Sequence, residues 1–200
     1  MGVKLVSASA GSVEIVAPTT ASNYTATMPA GTGNVVVNGI NSSIVSGTSL
    51  AYNWNGLTTN TSLDFTSIPS WVKRITVMFV NTSTSGSSNI LLQLGSGSAT
   101  ITGYVSTYLY VTGSSASAVT ATNGFVIPTT SASDTKAGAV IFSLSGSNTW
   151  VGSGSTTNTA TSACSVSGLI ALAGTLDRVR ITTANGTDTF DAGSINILYE

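Results

Sequence analysis

From residue 49 to the C-terminus the chain is a succession of short β-branched and aromatic runs, at 49–54, 61–65, 72–80, 89–94, 100–111, 124–127, 138–144, 149–151, 166–172, 178–183 and 194–199. Clusters of Gly, Ser, Asn and Thr at 81–88, 113–118, 131–136 and 152–162 punctuate them. Several runs alternate with period two, as in Ile75/Val77/Phe79, Ile90/Leu92/Leu94, Val140/Phe142/Leu144, Val179/Ile181 and Ile195/Ile197/Tyr199. That period puts every second side chain on one face of a strand. No stretch carries a helical repeat of comparable strength. Short strands joined by turns without intervening helices predict an all-β domain, an antiparallel β-sandwich of jelly-roll type.

The N-terminal part reads differently. Runs at 3–6 and 13–16, then a piece at 24–28 bracketed by Pro18 and Pro29 and another at 35–37, are extended but poor in large apolar residues. Too little area is available there to offset the entropy of ordering the chain. The expected organisation is a short extended β segment over residues 1–40 that orders by pairing with other chains or with a larger particle, a connector at 41–48, and a β-sandwich domain at 49–200.

Charge removes many functions. Six Lys+Arg stand against seven Asp+Glu, with no His and one Cys, and charged residues make up 6% of the chain, where ordinary soluble domains carry about 25%. Six cations cannot neutralise a run of phosphates or form a polybasic membrane patch, so nucleic acid and membrane surfaces are not expected partners. A triad with His and a Cys/His zinc site cannot be assembled. Low charge does not mean disorder, because 42% of residues are hydrophobic and the mean hydropathy is +0.35, the opposite of a disordered composition. Polarity comes instead from Ser and Thr, together roughly a third of the chain, well above usual usage. No secretory signal and no apolar run approaching ~18 residues is visible, which predicts a protein made in a cytoplasm. Cys164 has no intrachain partner for a disulfide and reads as a small buried side chain.

Candidate chemistry is sparse. Asp177, Asp188 and Asp191 lie close in sequence and could supply a glycosidase pair or part of a calcium site. The simpler reading of Asp177 is a partner for Arg178 and Arg180, and of Asp188 and Asp191 turn residues bonding their own backbone. Asn185-Gly186 reads as a hairpin turn leading into the last strand. Alternation along 103–111 puts Tyr104, Tyr108 and Tyr110 on one face and Val105, Leu109 and Val111 on the other. With the aliphatic face inward, the tyrosines would face out as a subunit interface, an ordinary sheet surface or a stacking row for glycan. Trp54, Trp71 and Trp150 are expected in the sandwich interior or at the junction with the N-terminal segment. Asn-X-Ser/Thr triplets at Asn23, Asn41, Asn60, Asn81 and Asn185 are what so much Ser and Thr produces by chance. No catalytic residue, cofactor or metal is assigned, and no enzyme activity is expected.

The runs 64–79, 176–183 and 188–197, with Leu92-Gln93-Leu94-Gly95, Thr102-Gly103-Tyr104 and Gly146-Ser147-Asn148-Thr149-Trp150-Val151 between them, resemble a C-terminal β-domain of tail fibres and related virion proteins of tailed bacteriophages. The likeness covers about residues 50–200. The Pro-bracketed stretch from Gly11 to Gly33 is similar to an element that precedes such fibre tips. The resemblance implies a homotrimeric virion structural protein made in the host bacterial cytoplasm, held to other virion proteins by its N-terminal segment. At 200 residues a short fibre, head fibre or capsid-attached spike fits better than a long fibre, with host-surface glycan as candidate ligand. A capsid decoration protein, and a depolymerase or cell-surface adhesin, are the alternatives.

Overall fold

The computed structural model describes residues 3–7, 11–15, 52–53, 60–158 and 162–200. The chain divides into two units, Met1–Val37 and Asn38–Glu200. In the first, β1 (Val3–Ser7) and β2 (Gly11–Ile15) form an antiparallel hairpin with Val3 opposite Ile15. The expected strands at 24–28 and 35–37, the connector at 41–48, and Trp54 lie outside the described residues.

The second unit is built from β3 (Tyr52–Asn53), β4 (Ser62–Phe65), β5 (Arg74–Thr84), β6 (Ile90–Ser96), β7 (Ser98–Ala99), β8 (Val105–Thr112), β9 (Ser115–Ala121), β10 (Phe125–Ile127), β11 (Lys136–Gly146), β12 (Thr149–Asn158), β13 (Ser162–Ala171), β14 (Arg178–Thr183) and β15 (Phe190–Tyr199). No helix occurs among the described residues. The larger sheet has the order β3-β15-β5-β11-β12-β13-β8-β9, and the smaller β10-β6-β14-β4 with β7 beside β6. Every pairing is antiparallel.

Period-two alternation becomes the core. Ile75, Val77 and Phe79 of β5, Val140 and Phe142 of β11 and Ile195 and Ile197 of β15 meet Phe65, Leu92, Leu94, Phe125, Val179 and Ile181 of the smaller sheet in one buried cluster. Each such side chain removed from water stabilises the fold by about 1.5–3 kcal/mol. The charged residues of the small sheet stay on its outer face. There Arg180 forks onto Asp64 of the neighbouring strand, Nε to Oδ1 at 2.7 Å and Nη2 to Oδ2 at 2.6 Å.

Strands run further than alternation of large residues suggests. The clusters 81–88, 113–118, 131–136 and 152–162, expected as connections, contribute to β5, β9, β11 and β12. Thr82 and Thr84 are wholly buried. A β-branched Thr suits a strand, and its hydroxyl can be satisfied locally, as where Thr82 Oγ1 donates to the Ser194 carbonyl at 2.9 Å. Beside it the β15–β5 ladder carries bulges on either side of Ala192. Gly193 sits there at φ +77, with Asn81 backbone where a Cβ would be, so a side chain at this position is excluded twice over.

Two further expectations are corrected. Asn185-Gly186 does form a turn, with the Gly186 N–H donating to Thr183 O at 3.0 Å, but β14 and β15 belong to different sheets, so it crosses the sandwich and closes no hairpin. Trp150 lies in the core, whereas Trp71 is 37% exposed and rests on Tyr199 with ring centroids 5.9 Å apart. Trp71 stands before β5 begins, so strand alternation does not govern its side chain.

Candidate functional site

The tyrosine row faces the other way from the expectation. Tyr104 is in the core, packed edge-on against Phe125 at 5.6 Å. Its hydroxyl donates to Thr100 O at 2.9 Å and accepts from the Leu94 N–H at 2.8 Å. Burial pushes the phenol well above its ordinary range. Tyr104 therefore cannot be a contact for glycan or for another subunit. Tyr108 is half-buried against the core and Tyr110 half-buried beside Asn158, whose Nδ2 donates to its hydroxyl at 3.3 Å. Hydrogen bonds from Thr112 first, then Thr130 and Ser162, bring the Tyr110 hydroxyl down to about 8. A large ring with a satisfiable hydroxyl fills an interior better than Val or Leu, and this decides which face turns in.

Tyr108 reaches an open groove of about 370 Å³, lined also by Val119, Leu91, Val126, Asn89 and Asn123. No charged side chain lines it. An aromatic ring, aliphatic walls and carboxamides suit a neutral polyhydroxylated ligand, offering a flat apolar surface beside donors and acceptors. Asn89 is already oriented, because its Oδ1 accepts from the Thr129 N–H at 2.9 Å.

The aliphatic face is the exposed one. Val105, Leu169 and Val151 are 68%, 39% and 41% exposed. They are direct cross-strand neighbours on β8, β13 and β12, so they form one continuous apolar row on the outer face of the larger sheet. Alongside it the same face carries Thr107, Ser167 and Ser153, again in register, and no charge interrupts these rows.

Sequence reasoning missed a buried polar cluster. Lys136 is fully buried and opposite Asn158, itself 1% exposed, in the β11–β12 register. Its Nζ donates to Asn158 Oδ1 and lies 3.6 Å from Asp134 Oδ2. The Asp134 carboxylate is buried too and accepts from Thr130 N, Thr130 Oγ1 and Ser131 N at 2.6, 2.9 and 3.1 Å. Burial alone would raise the Asp134 carboxyl, but these donors, the Asn158 side chain and the Lys136 charge together hold it below its usual range. Burial pushes Lys136 down, against the charge of Asp134. The segment 131–136 was expected as an exposed connection. Parity was the available signal, because stepping back by two from Phe142 through Val140 reaches Lys136 and then Asp134.

Cys164 borders the same cluster, and burial pushes its thiol up to about 11. A buried, protonated thiol is inert to alkylation. Iodoacetamide at about pH 8 is expected to leave the native protein unmodified and to label it fully in denaturant; rapid native labelling would show that this end of the sheet opens.

The other candidate carboxylates serve local structure. Asp177 pairs with Arg178 at 2.8 Å and accepts from the Gly97 N–H, Asp188 accepts from the Ser88 N–H and from Asn185, and Asp191 accepts from Ser83. Comparison of the chain with family models, with curated proteins and with solved structures returns no match.

Proposed function

We propose that this chain is a non-enzymatic structural protein of a tailed-bacteriophage virion, a short fibre or spike on the particle that assembles as a homotrimer and meets a host-surface glycan. The observation that carries the reading is the apolar row Val105–Leu169–Val151 with the uncharged row Thr107–Ser167–Ser153 beside it, on the outer face of β8, β13 and β12. A face of this kind suits burial against copies of itself, because no like charges oppose one another across the contact.

The strand order supports a jelly roll, the fold expected from the succession of short strands and turns. The pairs β3·β15, β4·β14, β5·β11 and β6·β10 are nested like the rungs of one long hairpin. Winding that hairpin around a core brings β15 beside β5 in one sheet and β14 beside β6 in the other, the double Greek key of a jelly roll. Two extra hairpins, β8–β9 and β12–β13, are inserted between these rungs and widen only the larger sheet. Those inserted strands carry the exposed apolar row. The groove at Tyr108 also lies against the β8–β9 insertion and is the candidate glycan contact in place of the outward tyrosine row.

An interface without ion pairs is insensitive to salt. Light scattering is expected to report the same multimer from low salt to about 1 M NaCl, and Leu169→Lys, which sets a cation into each copy of the face, is expected to leave folded monomers. A monomer at every concentration overturns the assembly and leaves capsid decoration as the reading. Electron microscopy of particles labelled at the C-terminus then distinguishes tail from capsid, and absence from the particle sinks both.

A further inference from the structure

We infer that Lys136 and Asn158 become joined by an isopeptide bond between Lys136 Nζ and Asn158 Cγ, formed within the folded domain with Asp134 as the proton carrier. The reading rests on juxtaposition. Amine and carboxamide are direct cross-strand neighbours, both buried, with Nζ in contact with the Asn158 Oδ1. Asp134 approaches both partners, its Oδ2 at 3.6 Å from Nζ and its carboxylate hydrogen-bonded by the Asn158 side chain. Tyr110 holds the amide nitrogen from a further side at 3.3 Å. Thr82, opposite Lys136 on β5, closes the site and is itself fully buried.

The chemistry needs nothing from outside. Asp134 takes a proton from the Lys136 ammonium, which a water-excluding site already disfavours. The neutral Nζ then adds its electron pair to Cγ, giving a tetrahedral carbon with the charge on Oδ1, and Tyr110 and the hydrogen-bonded cluster keep the nitrogen that will leave in place. Asp134 carries the surplus proton from Nζ to Nδ2, the Cγ–Nδ2 bond breaks, and the nitrogen departs as ammonia, which picks up the proton first removed from Lys136. One amide replaces another, so no oxidant or reductant is required. Held in contact by the sheet register, the two groups react as an intramolecular pair, with the gain in effective concentration that such positioning brings. The product also removes a buried charge whose burial is otherwise costly.

The test is the intact mass of the full chain in denaturant. Loss of ammonia is expected to leave it about 17 Da below the sequence mass. Trypsin cuts after Arg74, Lys136 and Arg178 in an unmodified chain, whereas acylated Lys136 resists, so residues 75–178 should persist as one peptide carrying the deficit. Lys136→Met and Asn158→Ala are each expected to have the full mass of their own sequence, and Asn158→Asp to lose water instead of ammonia. Wild-type protein at full mass after prolonged incubation overturns the inference, because that measurement does not depend on any variant folding. So does a 17 Da deficit in a chain still cut after Lys136, which would place the loss at an Asn-Gly pair such as Asn123-Gly124 as a cyclic imide.

Discussion

Replacing Phe142 by Ala is expected to destabilise the protein by about 3–5 kcal/mol, at the upper end for a buried ring. Phe142 is wholly buried and meets Phe125 at 4.9 Å, which in turn meets Tyr104 at 5.6 Å, so removing it takes one end from a chain of three rings and uncovers the central one. What lies beneath the ring decides the size of the effect. Its cross-strand partner is Gly152, and a Cβ there would come within 2.6 Å of the ring. The aromatic therefore covers bare backbone, and the residue directly opposite has no side chain to relax into the hole. Gly152→Ala alone is expected to cost about 1–3 kcal/mol through overpacking. Combined with Phe142→Ala, it should cost clearly less than the sum of the two, because the new methyl occupies part of the cavity. Urea denaturation of the two single variants and the double variant measures this; strict additivity would show that ring and glycine do not share one space.

The same pairing shows what a sequence of this kind discloses. Strand positions were legible wherever large apolar residues alternate, as in Val140/Phe142, because burial of one face leaves a period-two trace. Strand ends were not, because here strands continue through Thr82, Thr84, Gly152 and Gly154, whose small or hydroxylated side chains look like turn residues. Which face turns inward was equally hidden at 104–111. Hydropathy favours Val105 and Leu109 over Tyr104 and Tyr108 and so points to the wrong face, and the hydrogen bonds that satisfy Tyr104 involve Leu94 and Thr100, which nothing local in the sequence indicates. The Lys136 cluster was partly legible. Parity with Phe142 and Val140 was a signal for Asp134 and Lys136 that went unread, but their partner Asn158 closes the following strand, and only the β11–β12 register brings it opposite.

Removing the Asp134 carboxylate is expected to be the other large loss. Asp134→Asn leaves Lys136 fully buried with no counter-charge, and breaking a buried pair by taking one partner costs about 3–5 kcal/mol. That single variant does not say whether the cluster acts through charge or through a covalent bond, because Asp134 is required for both. The double variant Asp134→Leu with Lys136→Met separates them. If the cluster were only an ion pair, exchanging both charges for apolar side chains of similar size would recover the loss or improve on wild type, since neither ion has then to be desolvated. If Lys136 is bonded to Asn158, the double variant loses a cross-link that closes the β11–β12 hairpin, and it should stay about 3 kcal/mol below wild type, the entropy released when a loop of this length opens. Part of any residual loss belongs to Thr130 and Ser131, whose N–H groups Asp134 accepts. Asp134→Leu with Lys136 retained as a control carries that same loss, so the gap between the two variants isolates the charge. Chemical denaturation of the set reads out which account holds, and a double variant as stable as wild type would show that charge, without a bond, joins the two strands at this end of the sheet.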